Sequence, residues 1–361
     1  MENIIAMSSI VFNGSYINKK NTGIGVVSRD LALSLSKASF TTLIPKDIGM
    51  SGDIYIPNHF APGQGLKSHF NRLHWLQTNI PRIMNNLNAD YFFSPLLEAP
   101  LFTNVKSIVL AHDLIPLRYP SPSFLTLYYL TYIPILLKEA KLIFCNSIST
   151  ANDFHLFYKV PRRKLFPIRL GFNNKHFYPL KKSREKFFLI IGRHNPHKNL
   201  ERVIEAFAFA KIPQYKLIFV GPFDSRFTPK LMKKIDDLNI RHLCIWKDWI
   251  DDNEKLLLLN NCQALIIASL WEGFGLPALE AMACGTPVIA SNIGALPEVV
   301  GDCGYLVNPF DIDSIATAMN AIIDDSNYLE KANNQGPRRA LEFNWSDTTR
   351  YIEKVINTSM Y

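Results

Sequence analysis

Residues 264–297 read ALIIASLWEGFGLPALEAMACGTPVIASNIGALP, and the rest of the chain is organised around them. The apolar run Ala264 to Ala268 reads as a buried strand. A loop with two glycines, Gly273 and Gly275, follows, and then Pro277, a residue suited to the first turn of a helix. Ala278 to Cys284 continue as helix, Gly285 and Pro287 stop it, and Val288 to Ala290 form the next strand. Strand, glycine loop, helix, strand is the parallel α/β unit that points a helix N-terminus at an anion. Glu272 in the loop and Glu280 on the helix are eight positions apart. A carboxylate accepts hydrogen bonds from two vicinal hydroxyls, as on a ribose or a sugar. The free amides of Phe274, Gly275 and Leu276 suit phosphate oxygens. Together they describe a pocket for a sugar nucleotide; taken singly, each glutamate could equally be a solvated residue in an ordinary turn.

The string Glu272-Gly-Phe-Gly-Leu-Pro-Ala-Leu-Glu280 resembles the E-x7-E motif of retaining glycosyltransferases of family 4, which have the GT-B fold. Ala281 to Ala290 and Gly294-Ala-Leu-Pro-Glu298 are similar to the same family. The resemblance implies an α/β protein of two Rossmann-like parallel-sheet domains facing a cleft, with a C-terminal helix crossing back to the first. The expected division is an acceptor-side domain over 1–172, on which 345–361 packs back, a linker over 173–186, and a nucleotide-sugar domain over 187–344. The likeness covers nearly the whole chain and is most specific from Phe187 to Asp311.

Composition agrees with that size. The 361 residues with 48% hydrophobic content suffice for two α/β domains. Five scattered cysteines without a C-x-x-C pair fit a reducing compartment and no structural zinc. The N-terminal stretch lacks a basic segment followed by a long apolar core, so no signal peptide is expected. Phe124 to Leu137 is the most apolar run, but it falls short of the ~18 residues of a membrane span and Pro134 breaks it. It reads as a core helix, with an interfacial helix as the alternative.

The net charge of +8 is uneven: residues 1–180 hold 18 Lys and Arg against 9 Asp and Glu, and the remainder 21 against 22. A basic half beside a neutral one fits an anionic membrane surface or an anionic acceptor. Nothing resembling a nucleic-acid-binding pattern accompanies it, and no nucleic-acid partner is expected.

Other candidate residues follow in chain order. Thr22-Gly-Ile-Gly25 precedes a helical pattern from Val26 to Ser36; Thr22, Gly23 and Gly25 resemble the family's N-terminal glycine loop, which faces the cleft on the acceptor side. His112 and Asp113 end an apolar strand from Ser107 to Leu110, at the edge where open α/β sheets bind ligands. His112 to Pro120 is similar to a segment of bacterial family 4 mannosyltransferases, whose histidine reaches the donor sugar. Asp113 could orient the imidazole or cap the next turn. Ser147, also found lining the family's cleft, could simply cap the helix near Thr150. Arg162 to Lys164 read as a solvated basic cluster. Gly192-Arg-His-Asn-Pro-His-Lys198 leaves a strand over Phe187 to Ile191. Arg193 and Lys198 match the family's G-R-x-x-x-x-K and would neutralise a diphosphate leaving group. His194 and His197 read as loop residues, with no carboxylate nearby to make a metal site. Trp249 and Ile250 stand in the loop that, in the family, passes the nucleotide base.

The resemblance implies retention of anomeric configuration by front-face attack, with the departing phosphate as base. Glu272 would contact the donor sugar, Glu280 would hold the ribose, and a hinge near 172–186 would close on the donor. With Arg193 and Lys198 present, no metal and no cofactor are expected. GDP-mannose is the favoured donor, and a glycan or lipid-linked acceptor of bacterial polysaccharide or lipopolysaccharide assembly the favoured partner, at the cytoplasmic face of the inner membrane. The competing readings are a nucleotide-sugar-binding GT-B protein without turnover and a GT-B epimerase.

Overall fold

The apolar runs that recur along the chain are short strands buried on both faces. The computed structural model describes residues 9–18, 23–38, 40–57, 65–180 and 183–359. Ser107–Ala111 and Ala264–Ile267 are buried at every position, as parallel strands covered by helices on both sides must be. The chain divides into two compact units, Met1–Phe172 with Asn344–Tyr361, and Asn173–Phe343.

The first unit alternates β1 (Ile10–Asn13), α1 (Ile24–Leu35), β2 (Phe40–Pro45), β3 (Ile54–Ile56), α2 (Gly65–Leu87), β4 (Tyr91–Ser94), β5 (Ser107–Ala111), α3 (Ile115–Arg118), α4 (Phe124–Glu139), β6 (Leu142–Cys145), α5 (Ile148–Tyr158) and β7 (Leu165–Pro167). Among the described residues its seven strands pair in parallel in the order β3-β2-β1-β4-β5-β6-β7. The order reverses between β1 and β4, and a buried ion pair stands beside that reversal. Arg72 of α2 donates from Nε to Glu98 Oε2 at 2.7 Å, and Tyr16, just after β1, donates to the same oxygen at 3.0 Å. Both charges are almost wholly buried, so each needs the other.

The second unit runs β8 (Phe187–Ile191), α6 (Leu200–Phe209), β9 (Lys216–Val220), α7 (Thr228–Asp237), β10 (Cys244–Lys247), α8 (Asp252–Asn261), β11 (Ala264–Ile267), α9 (Leu276–Ala283), β12 (Val288–Ser291), α10 (Leu296–Val300), β13 (Tyr305–Val307), α11 (Ile312–Asp324) and α12 (Ser326–Leu341). Its sheet is parallel, in the order β10-β9-β8-β11-β12-β13.

The last helix, α13 (Trp345–Thr358), belongs to the first unit and lies on α1. Its apolar stripe buries Ile352, Val355 and Ile356. Ser34 of α1 fixes the register, with its hydroxyl 2.7 Å from Thr349 Oγ1 and donating to the Trp345 carbonyl at 3.1 Å.

Two expectations need correction. Helix α4 runs through Pro134 instead of breaking there. The proline lies toward the outward side of the helix, beside exposed Leu130 and Ile135, where water can serve the carbonyl that loses its partner. Helix α1 begins at Ile24, so Gly25 is a buried helical residue and not part of a loop; Gly23, at φ +50°, caps it. Thr22 lies outside the described residues. No helix among the described residues is long and apolar enough to cross a membrane.

Ile352→Ala should cost about 2–5 kcal/mol by leaving a cavity between α1 and α13. Tyr351→Ala, on the exposed side of the same helix, should stay within about 0.5 kcal/mol. Calorimetric unfolding of the two variants checks the difference.

Candidate active site

Strands β8 and β11 are neighbours, and the sheet is built outward from them in opposite directions. Loops leaving their C-terminal ends therefore diverge to opposite faces and open a crevice, the place where ligands enter such sheets. The loop after β8 ends in Lys198; the loop after β11 holds Ser269 and Glu272. Lys198 Nζ lies 2.6 Å from Glu272 Oε1, and Ser269 Oγ donates to the same oxygen at 2.7 Å. Burial alone would raise the Glu272 carboxyl; Lys198 and the Ser269 hydroxyl outweigh it and hold it below the usual carboxylate range.

The backbone under this pair is held from several directions. Asn199 Nδ2 donates to the carbonyls of Ala268 at 2.9 Å and Pro309 at 2.6 Å. Ser291, at the end of β12, donates to the Ser269 carbonyl. Ala295 N donates to the Glu272 carbonyl at 3.2 Å. Gly294 turns there at φ +68°, and a Cβ on it would stand 3.1 Å from that same carbonyl oxygen, so the turn has room only for glycine. This gives Gly294-Ala295 a physical reason beyond resemblance.

Helix α9 starts one turn further on. Gly275, at φ +115°, is its N-cap, and a Cβ there would meet Leu296 Cδ2 at 2.7 Å. None of the amides of Phe274, Gly275 and Leu276 donates to another described residue, so the positive end of the helix is left with donors to offer. Gly273 and Phe274 are buried, and the Phe274 ring meets Phe343 edge-on at 6.0 Å. Glu280, on α9, is also buried. Its Oε1 accepts from Lys255 Nζ at 2.8 Å, and that ammonium stands 4.7 Å above the Phe177 ring. Lys255 comes from α8, which Asp251 caps by accepting from Glu254 N at 2.7 Å.

Gly192, Arg193, Lys198, Ser269 and Glu272 line one pocket of about 10 Å³. That is room for about one water, an anchoring point and not the space for a whole nucleotide. Arg193 is exposed at its edge. Trp249, exposed, and Ile250, half-buried, follow β10, two strands away from β8. His194 and His197 stand in the loop, as expected, and both are buried; the expectation of no carboxylate nearby needs correction. His194 Nδ1 is 2.8 Å from Thr228 Oγ1, its ring meets Trp246 edge-on, and Asp224 and Asp248 lie near enough to act on it. Among the described residues no three His, Cys, Asp or Glu side chains come together as a metal-binding group.

In the first unit His112 follows β5. A carbonyl can only accept, so Nε2 carries the proton and donates to the Pro95 oxygen at 2.7 Å. Burial lowers the imidazole's pKa to about 4, so at neutral pH Nδ1 is an uncharged acceptor. Asp113 caps the next turn, accepting from Ile115 N at 3.0 Å. Ser147 caps α5, accepting from Thr150 N at 2.9 Å, and the Thr150 hydroxyl donates to the His112 carbonyl at 3.2 Å. Ser269, Lys255 and Asn199 were missed in sequence: Lys255 and Asn199 are common polar residues whose partners are distant in the chain, whereas Ser269 stands only three residues before Glu272, a local spacing that could have pointed to it.

Two parallel sheets, each with a reversal of strand order, and a last helix returned to the first unit define a protein of the GT-B class. Residues 172–339 match the family model described as Glycosyl transferases group 1. The chain is 32% identical over 220 residues to the MMP alpha-(1->4)-mannosyltransferase of Mycolicibacterium hassiacum, a match covering 58% of this chain and 53% of that protein. It is 30% identical over 238 residues to the O-antigen chain mannosyltransferase RfbU of Salmonella typhimurium, covering 65% of each. The chain thus spans between about half and just under two thirds of these relatives' own length. The sucrose-phosphate synthase of Thermosynechococcus elongatus superposes with a TM-score of 0.80 over 97% of this chain and 98% of its own, at 21% identity, which speaks for the fold alone.

Lys198→Met and Glu272→Gln, separately and together, should give a double-mutant cycle in thermal unfolding with a coupling on the order of 0.5–3 kcal/mol; additive losses would mean that the pair does not act as one unit. A second expectation concerns pH. His112 and His197 are each depressed by burial from 6.5 to about 4. The unfolded chain therefore takes up these protons first, and the stability they contribute is present above about 6.5 and lost as pH falls toward 4. His197→Gln should flatten that decline in a melting-temperature series.

Proposed function

We propose that the protein is a retaining glycosyltransferase that moves a hexose, mannose favoured, from a nucleoside diphosphate sugar to a glycan or lipid-linked acceptor. The carrying observation is the Lys198–Glu272 pair at the β8/β11 crevice, one loop before the uncommitted amides of α9. Transfer breaks the bond between the anomeric carbon and the diphosphate, leaving negative charge on the leaving group and positive charge on the sugar. Arg193, Lys198 and the α9 N-terminus answer the first charge and Glu272 the second. In this reading the donor's diphosphate draws Lys198 from Glu272, which frees that carboxylate for the sugar. Glu280, oriented by Lys255, holds the ribose, and His112 keeps the donor-sugar role that the resemblance implies.

GDP-mannose is the favoured donor, and two relatives that are mannosyltransferases by name support mannose. The name of one of them, an O-antigen chain enzyme, supports an acceptor in bacterial surface polysaccharide or lipopolysaccharide assembly. Front-face attack by the acceptor hydroxyl, with the departing phosphate taking its proton, is the mechanism carried over from the resemblance. The two cations and the helix N-terminus take the place that a divalent metal would otherwise fill. The basic first half supports a peripheral position on the cytoplasmic side of the inner membrane.

Heat-unfolding of the protein against UDP, GDP, ADP and TDP, with and without EDTA, tests this reading. A nucleotide at ~100 times its dissociation constant adds about 2.7 kcal/mol. One of the four should raise the unfolding temperature, indifferent to EDTA, and Glu280→Ala should abolish the rise. Slow hydrolysis of the matching donor sugar, followed by NMR of the released anomer, then separates a transferase from a binding protein. No shift with any nucleotide would remove the reading's central support.

A further inference from the structure

Helix α4 has two unlike sides. Tyr128, Ile133, Leu136 and Leu137 are buried, whereas Leu127, Leu130 and Ile135 are exposed, Leu130 at 60%. A turn of 100° per residue puts 127, 130 and 131, 134 and 135, and 138 on one outward stripe. Helix α5 adds exposed apolar residues of its own, Ile148, Leu156 and Phe157, spread over half its circumference. The two helices are joined where the Tyr158 hydroxyl donates to the Tyr129 carbonyl at 2.6 Å. They connect β5 to β6 and β6 to β7, neighbours taken in the same direction across the sheet. Right-handed crossovers therefore lay both helices on one face of the sheet, as one helical layer with apolar residues exposed on it.

A cluster of cations stands at one end of that layer. Residues 138–164 contain Lys138, Lys141, Lys159, Arg162, Arg163 and Lys164 against two carboxylates, Glu139 and Asp153. Lys164 Nζ donates to the carbonyls of Leu137 at 3.1 Å and Lys138 at 3.0 Å, which ties the cations after α5 to the C-terminus of α4. Asp153 is buried and paired with Arg118, and Glu139 accepts from Phe102 N at 3.0 Å. Asp153 is thus neutralised by Arg118, and the single charge of Glu139 leaves the cations in clear excess.

We infer that this α4–α5 face is where the protein docks on an anionic lipid surface, the cations on the headgroups and the exposed leucines in the boundary beneath them. The inference takes up the membrane-side part of the function proposed above. Charge complementarity selects an anionic partner, and the open apolar stripe selects one with an acyl boundary in which leucines can bury. A nucleic acid would satisfy the cations and leave the leucines in water.

Flotation of the full chain with vesicles of phosphatidylcholine, alone or mixed with phosphatidylglycerol, tests it. Binding should require phosphatidylglycerol and weaken as salt is raised. Arg162→Ala with Arg163→Ala should lower the partition coefficient on the order of 30-fold, about fivefold for each cation. Leu127→Ser with Leu130→Ser should also weaken it at unchanged melting temperature. Lys230→Ala with Lys233→Ala, on the exposed side of α7, should leave it unchanged. Equal losses in the α7 variant, or retention on duplex DNA but not on vesicles, would overturn the assignment. So would failure to float in a sample whose melting still responds to nucleotide, an outcome that leaves the donor pocket standing. Flotation without any nucleotide response would instead spare this surface and fail the transferase reading.

Discussion

Lys198 and Glu272 meet at 2.6 Å because adjacent parallel strands release their loops to opposite faces of one sheet. The surrounding second unit reads as support for that contact. Asn199, Ser291 and the Gly294-Ala295 turn each bind a backbone carbonyl in or beside the two loops. Preorganisation of this kind matters where charge has to be met without rearrangement. The pair itself adds little net charge to the crevice, since an ammonium and a carboxylate held together offset each other's field, and Arg193 supplies the charge that remains. In the function proposed above, a donor's diphosphate competes with Glu272 for Lys198, whereas exposed Arg193 and the α9 amides are already disengaged. A ligand is thus met first by donors that have nothing to give up.

The same layered plan serves different ends in the two units. At the reversal in the first sheet the polar groups are satisfied internally: Arg72, Glu98 and Tyr16 close on one another in the interior. What that sheet presents at its next strand end is the imidazole of His112, neutral and held by its own protein through Pro95, Thr150 and Ser147. The second unit offers cations and helix amides; the first offers an uncharged acceptor. Parallel sheets supply equivalent edges, and the side chains at those edges decide the chemistry.

What could be read from sequence was local. The strand, loop and helix over 264–284 lie within one stretch, and period and punctuation alone placed Glu272 before α9 and Glu280 on it. Lys198 could be placed in its loop, but its partner is 74 residues away, and no local pattern states that separation. Lys255 is a lysine on a helix, identical in sequence to any solvated lysine until the fold brings it to Glu280. His194 and His197 stand in their loop as read, but no local pattern says that the loop folds inward, against Trp246 in one case, or that Asp224 and Asp248 come near. Pro134 misled because its usual meaning as a breaker assumes a helix wetted or buried alike on all sides. In α4 the loss falls toward the side open to water.

The first unit takes its last helix from a segment that follows the entire second unit in the chain. Domains fold during synthesis as their residues emerge, at about 5–20 residues per second. The second unit is one unbroken stretch and can close as soon as it is made. The first cannot: α1 has to wait, its contact surface for α13 bare, for roughly 15 to 60 seconds of further translation. Chain connectivity therefore assigns the two halves different schedules, and the half that is begun first is finished last.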